Sequence, residues 1–133
     1  KNTNIKIING WSGNTNINDT DYAENLNSNL LSLCPRGVGG SSIRFYESCL
    51  MGCVPIILGN DEVMGEKDYD TSFILRLTNY NDIDSLASFF KSIEKMSHNE
   101  LVERGNLSRL YYLEIVKPYL DNSIQNFIEW LDK

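Results

Sequence analysis

The sequence is poor in the residues that build disulfide frameworks and metal sites. Its 133 residues include three cysteines and one histidine, too few for a cysteine-rich scaffold or for a structural zinc site. Cys34, Cys49 and Cys53 cannot all pair within the chain, and no Cys-x-x-Cys motif is present. Cys49 and Cys53 are spaced to share one helix face among apolar neighbours, so we expect buried thiols and no metal site.

Long apolar runs and an excess of basic residues are also missing. No apolar run approaches the ~18 residues that a membrane-spanning helix needs, and the Lys-Asn-Thr start is unlike a signal peptide. We therefore expect neither feature in this chain, and its compartment stays open. The chain carries 12 basic and 18 acidic residues, a formal net charge of −6. This balance argues against the concentrated basic surface of a nucleic-acid-binding protein.

What the chain does contain is an ordinary globular composition, 41% apolar and 23% charged. Its length favours a single domain over residues 1–133. Short apolar runs, typical of buried strands, alternate with amphipathic stretches that predict helices. This order predicts an α/β fold, a Rossmann-like three-layer domain with a mainly parallel sheet flanked by helices. The predicted strands are residues 5–8, 30–34, 54–58 and 73–77, and the predicted helices are 21–29, 42–51, 82–95 and one from 97 towards 117.

Capping and packing patterns refine the helices. Asn81 is the expected cap of the helix at 82–95, and Ser97 and Glu100 form a capping box for the next one. Gly105 weakens the prediction of that last helix, and Pro118 should end it. The residues expected to face the core are Ile43, Tyr46 and Leu50 in one helix and Leu86, Phe89, Phe90 and Ile93 in the next.

The segment from Arg36 to Glu47 carries the chemical signal. A predicted strand leads into a glycine-rich loop, and the loop leads into a helix. In open α/β sheets ligands bind at this place, outside the carboxyl ends of the strands. Glycines allow close approach of the backbone, a helix start attracts anions, and an arginine adds a forked, charge-assisted contact. The residues predicted to bind a diphosphate are Arg36, Gly37, Gly39, Gly40, Ser41 and Ser42.

Glu47 supplies the second part of this hypothesis. Its α-carbon should lie ~7.5 Å along the helix axis from Ser42. A carboxylate there can accept hydrogen bonds from both hydroxyls of a ribose. Simpler interpretations stay open: Ser41 and Ser42 as helix caps, Arg44 and Glu47 as a surface ion pair, and Arg36 as a solvated loop charge.

Three blocks of sequence resemble the signature of exostosin-like glycosyltransferases. They are Leu-Cys-Pro-Arg-Gly at 33–37, Ser-Ile-Arg-Phe-Tyr-Glu at 42–47 and Gly-Cys-Val-Pro-Ile-Ile at 52–57, with matching spacing between them. A weaker resemblance covers most of the chain from residue 22 onward, although residues 60–62 depart from the family pattern. In that family the matching region is the C-terminal, donor-binding half of an enzyme with two facing Rossmann-like domains, the GT-B architecture.

The resemblance implies inverting, metal-independent transfer of a hexosyl or pentosyl unit from a nucleotide sugar, with a uridine diphosphate sugar as expected donor. The acceptor would be a hydroxyl of a glycan or glycoprotein, and no further cofactor is implied. By position, Arg36, Ser41 and Ser42 would hold the diphosphate, with support from Arg44, and Glu47 would hold the ribose. The family's N-terminal acceptor domain, which can supply the catalytic base, is not in this chain. The location implied is the Golgi lumen, or the cytoplasm for a microbial or viral protein.

Three other hypotheses remain. Residues 37–42, with Asp61 after the next strand, are similar to the dinucleotide-binding loop of oxidoreductases, although Ser42 replaces its third glycine. Residues 52–59 and 72–74 resemble the donor domain of fucosyltransferases, which would use a guanosine nucleotide sugar. The last is a non-catalytic interaction module. Such a module would bind a partner domain through an apolar stripe, although stripes of this kind more often pack into the protein's own core. The residues of the stripe are Ile124, Phe127, Ile128 and Leu131.

Overall fold

The computed structural model describes residues 19–36 and 42–131. The strand predicted at 5–8 and the loop residues Gly37, Gly39, Gly40 and Ser41 lie outside the described residues. The helices are α1 (Asp19–Asn27), α2 (Ile43–Leu50), α3 (Ile83–Glu94), α4 (His98–Tyr111) and α5 (Lys117–Leu131), and a π-helical turn (Tyr112–Val116) joins α4 to α5. The strands are β1 (Leu31–Cys34), β2 (Val54–Leu58) and β3 (Leu75–Leu77). No helix within the described ranges is long and apolar enough to cross a membrane.

The three strands form a parallel sheet in the order β1-β2-β3. Leu31 of β1 lies opposite Val54, and Ile56 of β2 lies opposite Leu75. The third strand begins two residues later than predicted, because a turn bonds the amide of Ile74 to the carbonyl of Thr71. Helix α2 connects β1 to β2, and a connection without a helix leads from β2 to β3. The parallel sheet and its helices confirm the predicted α/β fold.

Helices cover both faces of the sheet. Successive residues of a strand point to opposite sides, so neighbouring residues of β2 belong to different buried clusters. On one face Ile57 packs in a buried cluster with Phe45 and Cys49 of α2 and Tyr111 of α4. On the other face the buried cluster is Val54, Ile56, Leu75 and Ile93, the last from α3. The predicted three-layer, Rossmann-like arrangement is therefore confirmed.

The predicted inner face of α2 is only partly correct, because Tyr46 packs against the buried cluster as expected but Ile43 and Leu50 do not. Ile43 is 76% exposed and Leu50 is 40% exposed, whereas Phe45, Ser48 and Cys49 are buried. The buried face contains a serine, which an apolar pattern does not identify. The Ser48 hydroxyl lies 2.6 Å from the carbonyl oxygen of Arg44 and 2.7 Å from the hydroxyl of Ser32, so this polar group is satisfied inside.

Two predictions about α3 also need correction. Asp82, not Asn81, caps the helix, because its carboxylate accepts a hydrogen bond of 2.8 Å from the amide of Ser85. Of the residues expected to be buried only Ile93 is, and Phe90 is 43% exposed. Helix α3 packs on the sheet through its later turns, where Phe89 and Ile93 contact the buried cluster. The apolar stripe of the helix therefore extends beyond the part that contacts the sheet.

The capping of α4 is confirmed, since the Ser97 hydroxyl accepts a hydrogen bond of 3.1 Å from the amide of Glu100. Pro118, however, does not end the helical path. The amide of Lys117 donates to the carbonyl of Tyr112, five residues back, as in a π-helix. Pro118 therefore falls in the first turn of α5, where its missing N–H is tolerated.

The apolar stripe of α5 does not belong to a core among the described residues. Its four members are 46–60% exposed. The rings of Phe127 and Trp130 stack on this helix with centroids 6.0 Å apart. The stripe is formed by Ile124, Phe127, Ile128 and Leu131.

Candidate functional site

A pocket opens at the carboxyl edge of the sheet. Cys34 ends β1, Leu58 ends β2, and Ser42 precedes α2, so all three lie at the edge where α/β proteins bind ligands. The pocket lies where the sequence predicted a ligand site. Its lining residues are Cys34, Arg36, Ser42, Phe45, Ile57, Leu58, Asp61, Glu62 and Val63.

The start of α2 forms one wall of this pocket. Ser42 occupies the N-cap position with extended backbone angles, φ −81° and ψ 131°, but its side chain makes no capping hydrogen bond. The first N–H groups of a helix have no acceptor within the helix. The serine is thus a cap by position only. The amide of Phe45 donates to the carbonyl of Ser42 over 2.9 Å. Within the described residues, the amides of Ile43 and Arg44 remain as donors for a ligand at the positive end of the helix dipole.

Arg36 lines the same pocket and has a partner there. Its Nε lies 3.5 Å from Oδ2 of Asp61, and the two side chains are 66% and 32% exposed. Arg36 is therefore a largely solvated charge with one carboxylate beside it. Asp61 and its neighbour Glu62 bring negative charge to the wall facing this arginine, so an anionic ligand competes with Asp61 for the guanidinium.

The segment that carries these acids is fixed by an arginine that the sequence analysis missed. The guanidinium of Arg76, in β3, donates to the carbonyl of Asp61 over 2.8 Å and pairs with Glu66. Glu66 in turn accepts a hydrogen bond of 2.9 Å from the amide of Val63. An arginine between two buried leucines was the available signal, because a charge in a buried strand needs partners.

A second polar cluster lies on the flank of α2 that faces α1. The hydroxyl of Tyr22 donates to Oε2 of Glu47 over 2.7 Å, and the guanidinium carbon of Arg44 lies 5.3 Å from the centre of the Tyr22 ring. The pKa of Tyr22 is raised to about 12, mainly by burial and secondly by the hydrogen bond to Glu47. Arg44 and Glu47 do not form an ion pair with each other, and both contact Tyr22.

This cluster and the pocket share one edge of the sheet. Helix α1 precedes the amino end of β1, so α1 begins near the carboxyl edge, and Tyr22 is in its first turn. Burial raises the pKa of the Cys34 thiol in the pocket, and the nearby charge of Arg44 acts against this rise. Of the predicted binding residues that the structure describes, Arg36 and Ser42 line the pocket, whereas Arg44 and Glu47 lie beside it on the α1 side.

The three thiols are buried, as predicted. Cys34, Cys49 and Cys53 are at most 2% exposed and none forms a disulfide. Burial raises the pKa of Cys49 to about 12 and that of Cys53 to about 11. Cys53 follows the end of α2 and donates to the carbonyl of Leu26 over 3.0 Å, which ties α1 to the domain.

The described site thus combines a guanidinium, an uncapped helix start and two carboxylates around one pocket, with a Tyr–Arg–Glu cluster beside it. Such a set can bind a ligand that carries both phosphate and hydroxyl groups. In residues 19–36 and 42–131, no three side chains of the metal-binding types form a group that could hold an ion. Comparison with known proteins finds no matching family model, no matching curated protein and no matching solved structure.

Proposed function

We propose that this chain is the donor-binding domain of a glycosyltransferase similar to the exostosin-like enzymes, and that it binds a nucleoside diphosphate sugar. One observation carries the proposal. Arg36 and the start of α2 line a single pocket at the carboxyl edge of a parallel sheet. The resemblance of residues 33–57 to the family signature adds the choice of substrate class.

The charges of the pocket explain how a diphosphate is held in a chain of net charge −6. A diphosphate carries its charge on several oxygens, and a guanidinium contacts two of them at once. The first N–H groups of α2 meet the other oxygens. These local donors outweigh the unfavourable global field because they act at hydrogen-bond distance.

The proposed reaction is an inverting transfer. The oxygen of an acceptor hydroxyl forms a bond to the anomeric carbon, and the bond from this carbon to the diphosphate oxygen breaks with its electron pair. The hydroxyl proton passes to a general base, which the N-terminal acceptor domain of such enzymes can supply. Arg36 and the helix start stabilise the charge that develops on the leaving diphosphate, so they serve the role that a metal has in other transferases.

The remaining contacts of the donor follow from the flank of α2. Glu47 accepts the ribose hydroxyls and Arg44 supports the diphosphate. The sugar lies towards Asp61 and Glu62, whose carboxylates are suitable acceptors for its hydroxyl groups. The acceptor is a glycan or glycoprotein hydroxyl, and the donor is a uridine diphosphate sugar or, in the fucosyltransferase-like case, a guanosine one.

One observation favours a second candidate, a dinucleotide-binding oxidoreductase domain. Asp61 comes shortly after β2 and lines the pocket, and an acid after the second strand is what binds the ribose in such domains. The pair that it forms with Arg36 counts against this role. In the second candidate, NAD binds and the nucleoside diphosphates do not.

Calorimetric titration of the chain with uridine diphosphate, guanosine diphosphate, pyrophosphate and NAD separates these functions. We expect Arg36→Ala to weaken binding of both the preferred nucleotide and pyrophosphate by about tenfold or more, the usual range for a charged hydrogen bond. Glu47→Gln should weaken the nucleotide more than pyrophosphate. The matched control is Arg109→Ala, an exposed arginine of α4 outside the pocket lining, which should bind like the wild type. Binding of NAD alone, or equal effects of Arg36→Ala and Arg109→Ala, would refute the proposal.

A further inference from the structure

The carboxylate of Glu47 is held by a residue from another helix. Tyr22 lies 25 positions earlier in the chain, and its hydroxyl donates to Oε2 of Glu47 over 2.7 Å. Tyr22 is itself fixed on two sides, because its ring lies against the Arg44 guanidinium and α1 is tied down through Leu26 and Cys53. The contact is thus built from two anchored helices.

A glutamate side chain is flexible, and fixing it when a ligand binds costs conformational entropy. A tyrosine has fewer free torsions, so a hydrogen bond from a fixed Tyr22 restrains Glu47 before any ligand arrives. The bond uses Oε2, and Oε1 has no hydrogen-bond partner among the described residues. A carboxylate offers about four acceptor positions, so this one keeps room for two hydroxyl donors.

We propose that Tyr22 is a positioning residue of the donor site, holding the Glu47 carboxylate in the orientation that accepts the two hydroxyls of a ribose. This inference rests on the proposed function and deepens it, since it makes a ribonucleoside diphosphate the substrate class that the flank of α2 selects. Tyr22 acts through Glu47 and is not itself required to contact the nucleotide.

The test combines two changes in a double-mutant cycle. The hydroxyl of Tyr22 is removed from the protein, the two ribose hydroxyls are removed from the ligand, and the binding affinity of each combination is measured. Wild type and Tyr22→Phe are titrated with uridine and guanosine diphosphates, with the 2′,3′-dideoxy forms of both, and with pyrophosphate. Tyr22→Phe keeps the ring over Arg44 and removes only the hydrogen bond. Tyr119→Phe is the matched control, an exposed tyrosine on α5. Thermal unfolding of each variant checks that the fold is retained.

We expect Tyr22→Phe to weaken the preferred ribonucleotide by roughly 5-fold, as the carboxylate loses its preorganisation. The same change should leave the dideoxy forms and pyrophosphate within twofold of the wild type, a pattern that a general loss of structure does not produce. Tyr119→Phe should match the wild type with every ligand.

The failures are distinguishable. If the wild type binds a ribonucleotide but Tyr22→Phe binds it equally well, or weakens ribose and dideoxyribose ligands alike, the positioning role is refuted and the donor site stands. If the wild type binds no nucleoside diphosphate, the proposed function fails and the positioning role fails with it.

Discussion

Replacement of Gly105 by alanine tests the packing that holds the pocket's helices together. Gly105 lies inside α4, where it meets the turn that follows α2. A Cβ added at this position would lie 2.2 Å from the carbonyl oxygen of Gly52 and 3.4 Å from its carbonyl carbon. Both atoms belong to the backbone, so no side chain can rotate away. The turn at Gly52 has φ +73°, a conformation that favours glycine at this position.

The magnitude follows from two opposing effects. Alanine is favoured over glycine inside a helix by about 1 kcal/mol. Against this, the two segments must separate by roughly 1 Å or more before the new carbon reaches a normal contact distance. Overpacking of this kind costs about 1–3 kcal/mol and more where neighbours are rigid. We expect a net loss of about 2 kcal/mol in the free energy of unfolding, a fall in Tm of roughly 8 °C.

Urea unfolding followed by circular dichroism measures this loss. Asn106→Ala is the matched control, because it lies next to Gly105 on α4 with an exposed side chain. That change gains helix propensity without a clash, so it should stabilise by a few tenths of a kcal/mol. A Gly105→Ala protein as stable as Asn106→Ala would refute the close approach of α4 to Gly52.

Three further predictions concern charge, thiols and capping. Asp61→Asn should tighten pyrophosphate binding a few-fold at low salt, because the change frees Arg36 and removes an acid from the pocket. Weaker binding in calorimetric titration would contradict this and would mean that Asp61 positions the arginine. At pH 8 a chromogenic thiol reagent should react far more slowly with the folded than with the urea-unfolded chain, since burial raises the pKa of Cys49 to about 12 and of Cys53 to about 11. The thiols of the unfolded chain have the ordinary pKa of 9.0 and lose their protons first. The free energy of unfolding should therefore fall as the pH rises above this value, and urea unfolding at a series of pH values measures the fall. Ser97→Ala should cost about 1 kcal/mol in urea unfolding, the usual value of an N-cap, and an unchanged midpoint would contradict that capping role.

The sheet could be predicted because its signal is local. Residues 54–58 form a short apolar run, which is typical of a strand buried on both faces. The structure has β2 at Val54–Leu58, as predicted. The carboxyl-edge position of the pocket then follows from topology alone. Arg36 and Ser42 were found for the same reason, since both lie in the connection that leaves β1.

Other features depend on contacts between distant parts of the chain, which spacing does not encode. The hydrogen bond between Tyr22 and Glu47 joins two helices, and Arg76 reaches Asp61 from another strand. The inner face of α2 was only partly identified, because a buried Ser48 interrupts the apolar pattern. Each of these is a tertiary arrangement, in which a polar group is satisfied by a partner remote in sequence.

The central claim, that a nucleoside diphosphate binds where β1 meets α2, is tested most directly by mapping backbone amide shifts in NMR spectra during titration with uridine and guanosine diphosphates. We expect saturable shifts at Arg36, Ser42 and Asp61, with Glu47 responding to the ribonucleotides but not to pyrophosphate. Residues of α5 should stay unchanged. Shifts confined to α5, or none at these four residues at millimolar nucleotide, would contradict the claim.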